Sequence, residues 1–267
     1  MKFHDNLDST CFHQVAAEYE ALCTQLFRFA LRQAKDNLAN ISHGKTACVI
    51  LDLDETLLDN SASGARLIRD GQPFIESGNW KDWCNERKTQ VVPGARTFVD
   101  GIVALGVQPI YVTSRLHAEV REATKADLGR HGFPLIPSDD PMHTNLFMKK
   151  MGTVVVGNAT WSLQNKYEQR QFFTSVRNYE VILNVGDNLS DWEESYHHSH
   201  AMSDRLASLR ANVDRLGQEF VLLPNPMYGS WQIALNNDFP GPSLDGPVTA
   251  AENAHMRALR FEDPSLA

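Results

Sequence analysis

Hydrophobic positions recur every three or four residues near the start of the chain and then change to short continuous runs. From residue 12 to about residue 40 the spacing is helical, and the Asn and Gly residues of NLANISHGK end the predicted helix. The next run, TACVILDL, is rich in β-branched residues and predicts a strand that is buried on both faces. The chain therefore begins with a helix that leads into a central strand.

Strands and helices alternate along the rest of the chain. The segments VQPIYVTS, YEVILNVGD and EFVLLPNP predict three further strands, and MGTVVVG predicts an extra short one. Helical spacing followed by glycine marks ARTFVDGIVALG and AEVREATKADLGRHG, and NKYEQRQFFTSVRN is also helical. This alternation predicts an α/β fold with a doubly wound, mostly parallel sheet.

Two stretches interrupt this alternation. Residues 61–92 mix Gly, Pro, aromatic and charged residues, which predicts a small, partly helical cap insertion. Residues 240–267 are rich in proline and have few large apolar side chains, so we expect a tail that wraps the surface or is disordered. The predicted core domain comprises residues 1–60 and 93–239.

Composition narrows the class of protein. The 267 residues are 42% hydrophobic and 22% charged, which suits a core domain with an inserted cap. The net charge of -8 argues against a nucleic-acid polymer as partner. No apolar run approaches the roughly 20 residues that span a bilayer, and the N-terminus lacks the apolar segment of a signal peptide. We expect a cytoplasmic protein as the sequence stands, and a periplasmic or surface-anchored one if a leader has been removed.

Carboxylates follow two of the predicted strands. Asp52 and Asp54 stand where the first strand ends, so their side chains point the same way and Leu53 points into the core. Asp187 and Asp191 follow the strand VILNV. One acidic strand end can be a helix N-cap, but two in one α/β chain favour a ligand site at the carboxyl ends of the strands. Because close carboxylates repel one another, a hard cation such as Mg²⁺ is expected between them.

Further candidates lie between these acidic clusters. Thr113 and Ser114 end the second strand with hydroxyl and backbone N–H donors that suit a phosphate oxygen, and Lys166 could balance the acids. Each residue alone is weak evidence, because Ser and Thr end many strands and most lysines on helices are solvated.

In their order along the chain, these residues resemble the haloacid dehalogenase (HAD) superfamily of phosphohydrolases. The matching pieces are D-x-D-x-T from Asp52 to Thr56, Thr113, Lys166, and G-D-x-x-x-D ending at Asp191. The segments AEYEAL, LDLDETLLDNS, WKDW, VPGA, YVTSR, VGDNLSD and LLPNPMYGSW look like the bacterial class C acid phosphatases, the lipoprotein-type nonspecific phosphomonoesterases. The likeness extends over most of the chain.

The resemblance implies a Rossmann-like HAD core and hydrolysis of phosphate monoesters through an aspartyl-phosphate. In that reaction Asp52 is the nucleophile, Asp54 exchanges protons with the leaving group and with water, and Thr113 and Lys166 hold the transferring oxygens. The implied Mg²⁺ site is built from the two acidic clusters, namely Asp52, the backbone carbonyl of Asp54, Asp187 and Asp191.

The implied substrate contacts come from the cap and from loops beside the site. They are Thr56, Ser114, Phe74, Trp80, Trp83 and Tyr228. The aromatic residues could form an apolar wall against a leaving group such as a nucleoside base. Trp80 and Trp83, three positions apart, could equally pack one helical face against the core, and Tyr228 could order a loop.

Two alternatives remain open. The chain departs from the class C pattern at Ser114, Trp192 and Gln232, which favours a phosphatase dedicated to one metabolite, such as a nucleoside 5′-monophosphate or a biosynthetic intermediate. Relative rates on a panel of phosphate esters would separate this function from a nonspecific one. A catalytically inactive storage or binding relative is the third hypothesis, and the intact motifs argue against it. The expected partner is a small phosphate monoester, and a homodimer is left open.

Overall fold

The computed structural model describes residues 6–72 and 77–238. The chain divides into two compact units, one of Met1–Asp187 with Asp214–Met227 and the other of Asn188–Val213 with Tyr228–Ala267. Phe74 and the predicted tail lie outside the described residues. Within the described ranges, no helix combines the length and the apolar character that a membrane crossing requires.

The first unit contains most of the regular structure. Its elements in chain order are α1 Leu7–Val15, α2 Ala17–Leu38, β1 Thr46–Leu51, β2 Leu58–Asp59, α3 Ser61–Arg69, α4 Ser77–Glu86, β3 Gln90–Val91, α5 Ala95–Ala104, β4 Gln108–Leu116, α6 His117–Arg130, β5 Leu146–Lys149, β6 Thr153–Val156, β7 Ala159–Ser162, α7 Lys166–Val176, β8 Tyr179–Gly186 and β9 Phe220–Leu222. The second unit contains α8 Met202–Ala211 and α9 Ser230–Asp238, with 3₁₀ turns at Leu189–Asp191 and Glu194–Tyr196.

Five parallel strands form the main sheet in the order β5-β4-β1-β8-β9. From the central strand β1 the chain moves outward to β4 and β5, and it then returns to build β8 and β9 on the other side. The strand order therefore reverses between β1 and β8, where open α/β sheets form a ligand-binding crevice. The predicted doubly wound, parallel sheet is confirmed.

The two faces of β1 belong to two hydrophobic clusters. Val49 and Leu51 pack with residues of α2 and α5 on one face, and Cys48 and Ile50 pack with Phe173 of α7 on the other. This alternation follows the two-residue period of a strand. Burial on both faces holds β1 firmly, and with it the residues at its carboxyl end.

The N-terminal region differs from the sequence pattern. The predicted single helix is two helices, because Ala16 adopts extended backbone with φ -77° and ψ 126° between α1 and α2. The break lets His13 stack on Tyr19, with ring centroids 3.9 Å apart. Residues six apart point to different sides of a continuous helix, so the stack requires the break.

The hydrophobic pattern also does not predict β5 and β7. Each has four residues, like β6, but lacks the run of β-branched residues that marks β6 in the sequence. Residues 61–72 and 77–92 contain α3, α4 and β3, and β3 pairs with β2 in an antiparallel ribbon. The assignment of residues 61–92 to a cap stays a prediction.

Candidate active site

The turn after β1 presents the first carboxylates. Backbone N–H groups of Thr56, Leu57 and Leu58 donate to the carbonyl of Leu53 at 3.2, 2.8 and 2.8 Å. Glu55 has a positive φ of 59°, which is uncommon for a residue with a side chain and tightens the turn. Leu53 itself is fully buried. Leu53 is thus buried, as the sequence predicted, and the turn around its carbonyl places the two flanking aspartates.

Asp52 is paired with the lysine at the start of α7. Lys166 Nζ donates to Asp52 Oδ1 at 2.5 Å across 114 positions of sequence. Only 14% of the lysine side chain and 7% of the aspartate side chain are exposed. The helix begins at Lys166 because the side chain of Asn165 caps it, accepting from the Glu168 N–H at 2.9 Å. The structure therefore brings together two residues that the sequence singled out separately.

Asp187, at the end of β8, lies beside Asp52. A carboxylate oxygen of each lies within 4.8 Å of the other. Thr56 Oγ1 lies 3.1 Å from Asp187 Oδ1 and 3.5 Å from Asp52 Oδ2, and its single hydrogen can serve one acceptor at a time. Asn225 Nδ2 donates to Asp187 Oδ2 at 2.8 Å. Two acidic strand ends therefore converge at the reversal of strand order.

Asp54 is bound by an arginine at the end of β4. Arg115 Nη2 and Nε donate to Asp54 Oδ1 at 2.7 and 3.0 Å, and Nε lies 3.1 Å from Oδ2. None of the arginine side chain and 13% of the aspartate side chain are exposed. Burial is the largest single influence and disfavours the charged guanidinium, but attraction to Asp54, the hydrogen bonds to Asp54 and attraction to other nearby acidic groups together outweigh it, so the pKa of Arg115 lies above its ordinary value. Arg115 therefore stays charged inside the site.

A hydrogen-bond chain from α4 also reaches Asp54. The indole N–H of Trp83 donates to Asn60 Oδ1 at 2.8 Å, and Asn60 Nδ2 donates to Asp54 Oδ1 at 3.0 Å. Trp83 is only 3% exposed. These contacts match the packing alternative for Trp83, whereas its contact with substrate stays a prediction. Trp80 is half-buried, and its ring lies 6.0 Å from Arg115 Cζ.

Comparisons with a protein-family model and with solved structures identify the family of this chain. Residues 4–231 match the HAD superfamily, subfamily IIIB (acid phosphatase). The chain belongs to this family. This acid phosphatase is 26% identical to the class C acid phosphatase from Bacillus anthracis, with a TM-score of 0.76 over 97% of this chain and 98% of that chain. A structure of the class C acid phosphatase from Bacillus anthracis with tungstate bound has 24% identity, the same coverage of 97% and 98%, and a TM-score of 0.77, which is a likeness of fold.

Family membership and fold together establish the class of reaction. The chain is a phosphomonoesterase, and the acidic strand ends of the phosphatase are able to bind a divalent metal ion.

The sequence analysis missed three residues of the site, Arg115, Asn60 and Asn225. All three lie in segments that carried the family resemblance, namely YVTSR, LLDNS and LLPNP. The available signal was a polar or charged residue inside a segment that carried the resemblance, and only Arg115 stands directly beside a predicted site residue, Ser114. Sequence alone does not show which carboxylate each one binds.

The remaining candidates have the following places in the phosphatase. Thr113 is fully buried, and its Oγ1 accepts from the Arg115 N–H at 3.1 Å, whereas Ser114 is exposed. Asp191 and Tyr228 belong to the second unit. There Asp191 is buried, and its Oδ2 accepts from the Asn188 N–H at 3.1 Å in a capping box. The predicted roles of these residues stay predictions.

Proposed function

We propose that the phosphatase is Mg²⁺-dependent and hydrolyses small phosphate monoesters through an aspartyl-phosphate on Asp52. The observation that carries this proposal is the position of Asp52 at the β1–β8 reversal, bonded to Lys166 at 2.5 Å and within 4.8 Å of Asp187. A carboxylate needs no deprotonation near neutral pH to act as a nucleophile. The adjacent lysine reduces the repulsion between this carboxylate and an incoming phosphate dianion.

The donor set fits a hard divalent ion. Asp52 and Asp187 offer only oxygen ligands, as Mg²⁺ prefers. Their carboxylate oxygens lie within 4.8 Å of each other, which is compatible with two ligands of one Mg²⁺, at most about 4.2 Å apart. Thr56 and Asn225 hydrogen-bond to the two oxygens of Asp187 and so fix the orientation of this carboxylate. A bound ion would offset the repulsion between carboxylate and phosphate and would act as a template. The carbonyl of Asp54 and the side chain of Asp191 are further ligands on the basis of the sequence motif.

Four residues of the protein have separate roles in the proposed reaction. Asp52 attacks phosphorus, and the new P–O bond forms as the ester P–O bond breaks. Asp54 gives a proton to the departing alcohol and later takes one from the water that hydrolyses the aspartyl-phosphate. Lys166 and the hydroxyl of Thr113 bind the transferring oxygens, where negative charge must be stabilised.

The contacts of Asp54 favour Oδ2 as the oxygen that carries the transferred proton. Oδ1 accepts from Arg115 Nη2, from Arg115 Nε and from Asn60 Nδ2. Within the part of the chain that the structure describes, Oδ2 accepts only from Arg115 Nε, at 3.1 Å. An ionised carboxylate oxygen has about two lone-pair positions, so Oδ2 retains capacity for a proton. Arg115 and Asn60 are the positioning residues for this oxygen.

Metal removal tests the cofactor proposal. We expect EDTA treatment followed by desalting to abolish release of phosphate from an aryl phosphate ester, and Mg²⁺ to restore it, because all-oxygen ligands select a hard ion. Circular dichroism before and after treatment provides the control for loss of fold. Full activity in metal-free buffer would contradict Mg²⁺ dependence.

Trp83→Phe tests the chain that positions Asp54. Loss of the indole donor leaves Asn60 Oδ1 without this buried partner, so we expect kcat to fall roughly tenfold, equivalent to about 1.4 kcal/mol. The loss should be larger for alkyl than for aryl phosphates, because poor leaving groups depend more on the acid. Trp161→Phe, at a half-buried position on β7, is the matched control. An equal loss for both leaving-group classes would argue against positioning of Asp54.

A further inference from the structure

A histidine and two carboxylates meet beside the turn that follows β1. The ligand atoms of His13, Glu55 and Asp59 all lie within 4.8 Å of one another. The three residues come from α1, from the turn and from β2. His13 is 3% exposed, Glu55 is fully buried, and 17% of the Asp59 side chain is exposed. None of these residues takes part in the proposed reaction.

The imidazole of His13 is buried, and no residue in the described ranges forms a hydrogen bond with it. Neither Nδ1 nor Nε2 has a hydrogen-bond partner there, although the whole side chain is inaccessible to solvent. Such burial is unfavourable for a polar ring, and buried polar groups are nearly always satisfied. Burial lowers the pKa of His13 from 6.5 to about 4, against the opposing attraction of Asp59. The ring is therefore neutral at neutral pH and has a lone pair to donate.

One distance distinguishes metal ligation from hydrogen bonding. His13 Nε2 lies 3.8 Å from Asp59 Oδ1, which is too long for a hydrogen bond. Two ligands bound to one ion at about 2.0–2.2 Å are separated by roughly 3–4.2 Å. The observed spacing falls within the range for two ligands of a common ion.

The two carboxylates retain capacity to bind a cation. Glu55 Oε1 accepts from the Asn60 N–H at 2.8 Å, and Asp59 Oδ1 accepts from the Ser61 N–H at 2.7 Å. Burial, together with the nearby Asp54 and Asp187, raises the pKa of Glu55 well above its ordinary value, so a cation is needed to favour its ionised form. Each carboxylate, once ionised, has about four acceptor positions, so further positions remain. Among the residues that the structure describes, neither acid forms an ion pair with lysine or arginine. Two largely buried acids are stabilised by a cation between them.

We propose that His13, Glu55 and Asp59 bind one divalent transition-metal ion, with Zn²⁺ as the best-fitting ion. One imidazole nitrogen with two carboxylates suits Zn²⁺, whereas Mg²⁺ and Ca²⁺ favour oxygen-only sites. The ion ties α1 to the turn that carries Asp54 and to β2, which directly precedes Asn60. The site is separate from the Asp52–Asp187 pair.

Zn²⁺ titration of the full chain tests this site. The Asp187→Asn variant, which weakens the proposed catalytic metal site, is stripped with chelator and titrated with Zn²⁺ in the presence of excess Mg²⁺. Calorimetry and elemental analysis after gel filtration should give about one bound Zn²⁺ per chain. Adding His13→Gln should weaken binding roughly 100-fold or more, as loss of one ligand requires. His143→Gln is the matched control, because 71% of that histidine side chain is exposed.

Two further measurements test the folding of the variants and the identity of the metal ligands. Circular dichroism establishes that each variant is folded, and X-ray absorption of the Zn²⁺-loaded wild type identifies the ligands independently of any substitution. The expected first shell contains one imidazole with oxygen ligands. Absence of bound Zn²⁺ in Asp187→Asn, equal affinity after His13→Gln, or a shell without imidazole would each overturn the proposal. These results do not depend on phosphatase activity, so a failure here is distinguishable from a failure of the proposed mechanism.

Discussion

Asp52→Asn should lower kcat for an aryl phosphate by on the order of 10⁴-fold or more, as removal of a covalent nucleophile does in other hydrolases. The amide is a poor nucleophile, so no aspartyl-phosphate can form. The substitution also removes the negative charge that pairs with Lys166 at 2.5 Å. Measurement of phosphate release with the purified variant tests the expectation.

A control for this substitution exists on the surface. Asp100 lies on α5 with 55% of its side chain exposed and pairs with Arg96. Asp100→Asn makes the same chemical change, and we expect it to leave kcat unchanged, because exposed ion pairs contribute little. Trapping of radiolabelled phosphate on wild type but not on Asp52→Asn would add direct support. Unchanged turnover in a folded Asp52→Asn protein would eliminate Asp52 as the nucleophile.

Arg115→Met should destabilise the phosphatase and impair catalysis together. The variant leaves the Asp54 carboxylate, 13% exposed, without its buried partner. Removal of one member of a buried ion pair costs about 3–5 kcal/mol of unfolding free energy. We also expect a large loss of kcat, because Asp54 loses the two-pronged contact that orients it. Urea unfolding and steady-state kinetics measure the two effects.

Arg115→Lys and a double-mutant cycle separate charge from geometry. Lysine keeps the positive charge but lacks the planar fork, so stability should recover more than kcat does. Combination of Arg115→Met with Asp54→Asn should cost less stability than the sum of the single changes, with a coupling of roughly 0.5–3 kcal/mol. Additive losses would show that the Arg115–Asp54 contact contributes little.

The local periodicity of the chain was enough to predict its architecture. Short continuous apolar runs and helical spacing of three to four gave the alternation from which the parallel sheet follows. The hydrophobic pattern did not predict the break at Ala16, where extended backbone divides the N-terminal helix in two. It also failed at β5, which is four residues long and stands after a polar loop.

The sequence by itself determined that Asp52 and Asp187 end buried strands, because each acid directly follows an apolar run and a strand's end is a local property. Only the tertiary structure decided the partners of the charged groups. Lys166 reaches Asp52 across 114 positions and Arg115 reaches Asp54 across 61. Such pairings depend on which strands become neighbours and on where helices begin. The few residues around each carboxylate determine neither the strand order nor the position of the helices. The same physical reason explains why His13 meets Glu55 and Asp59 only after α1 has packed.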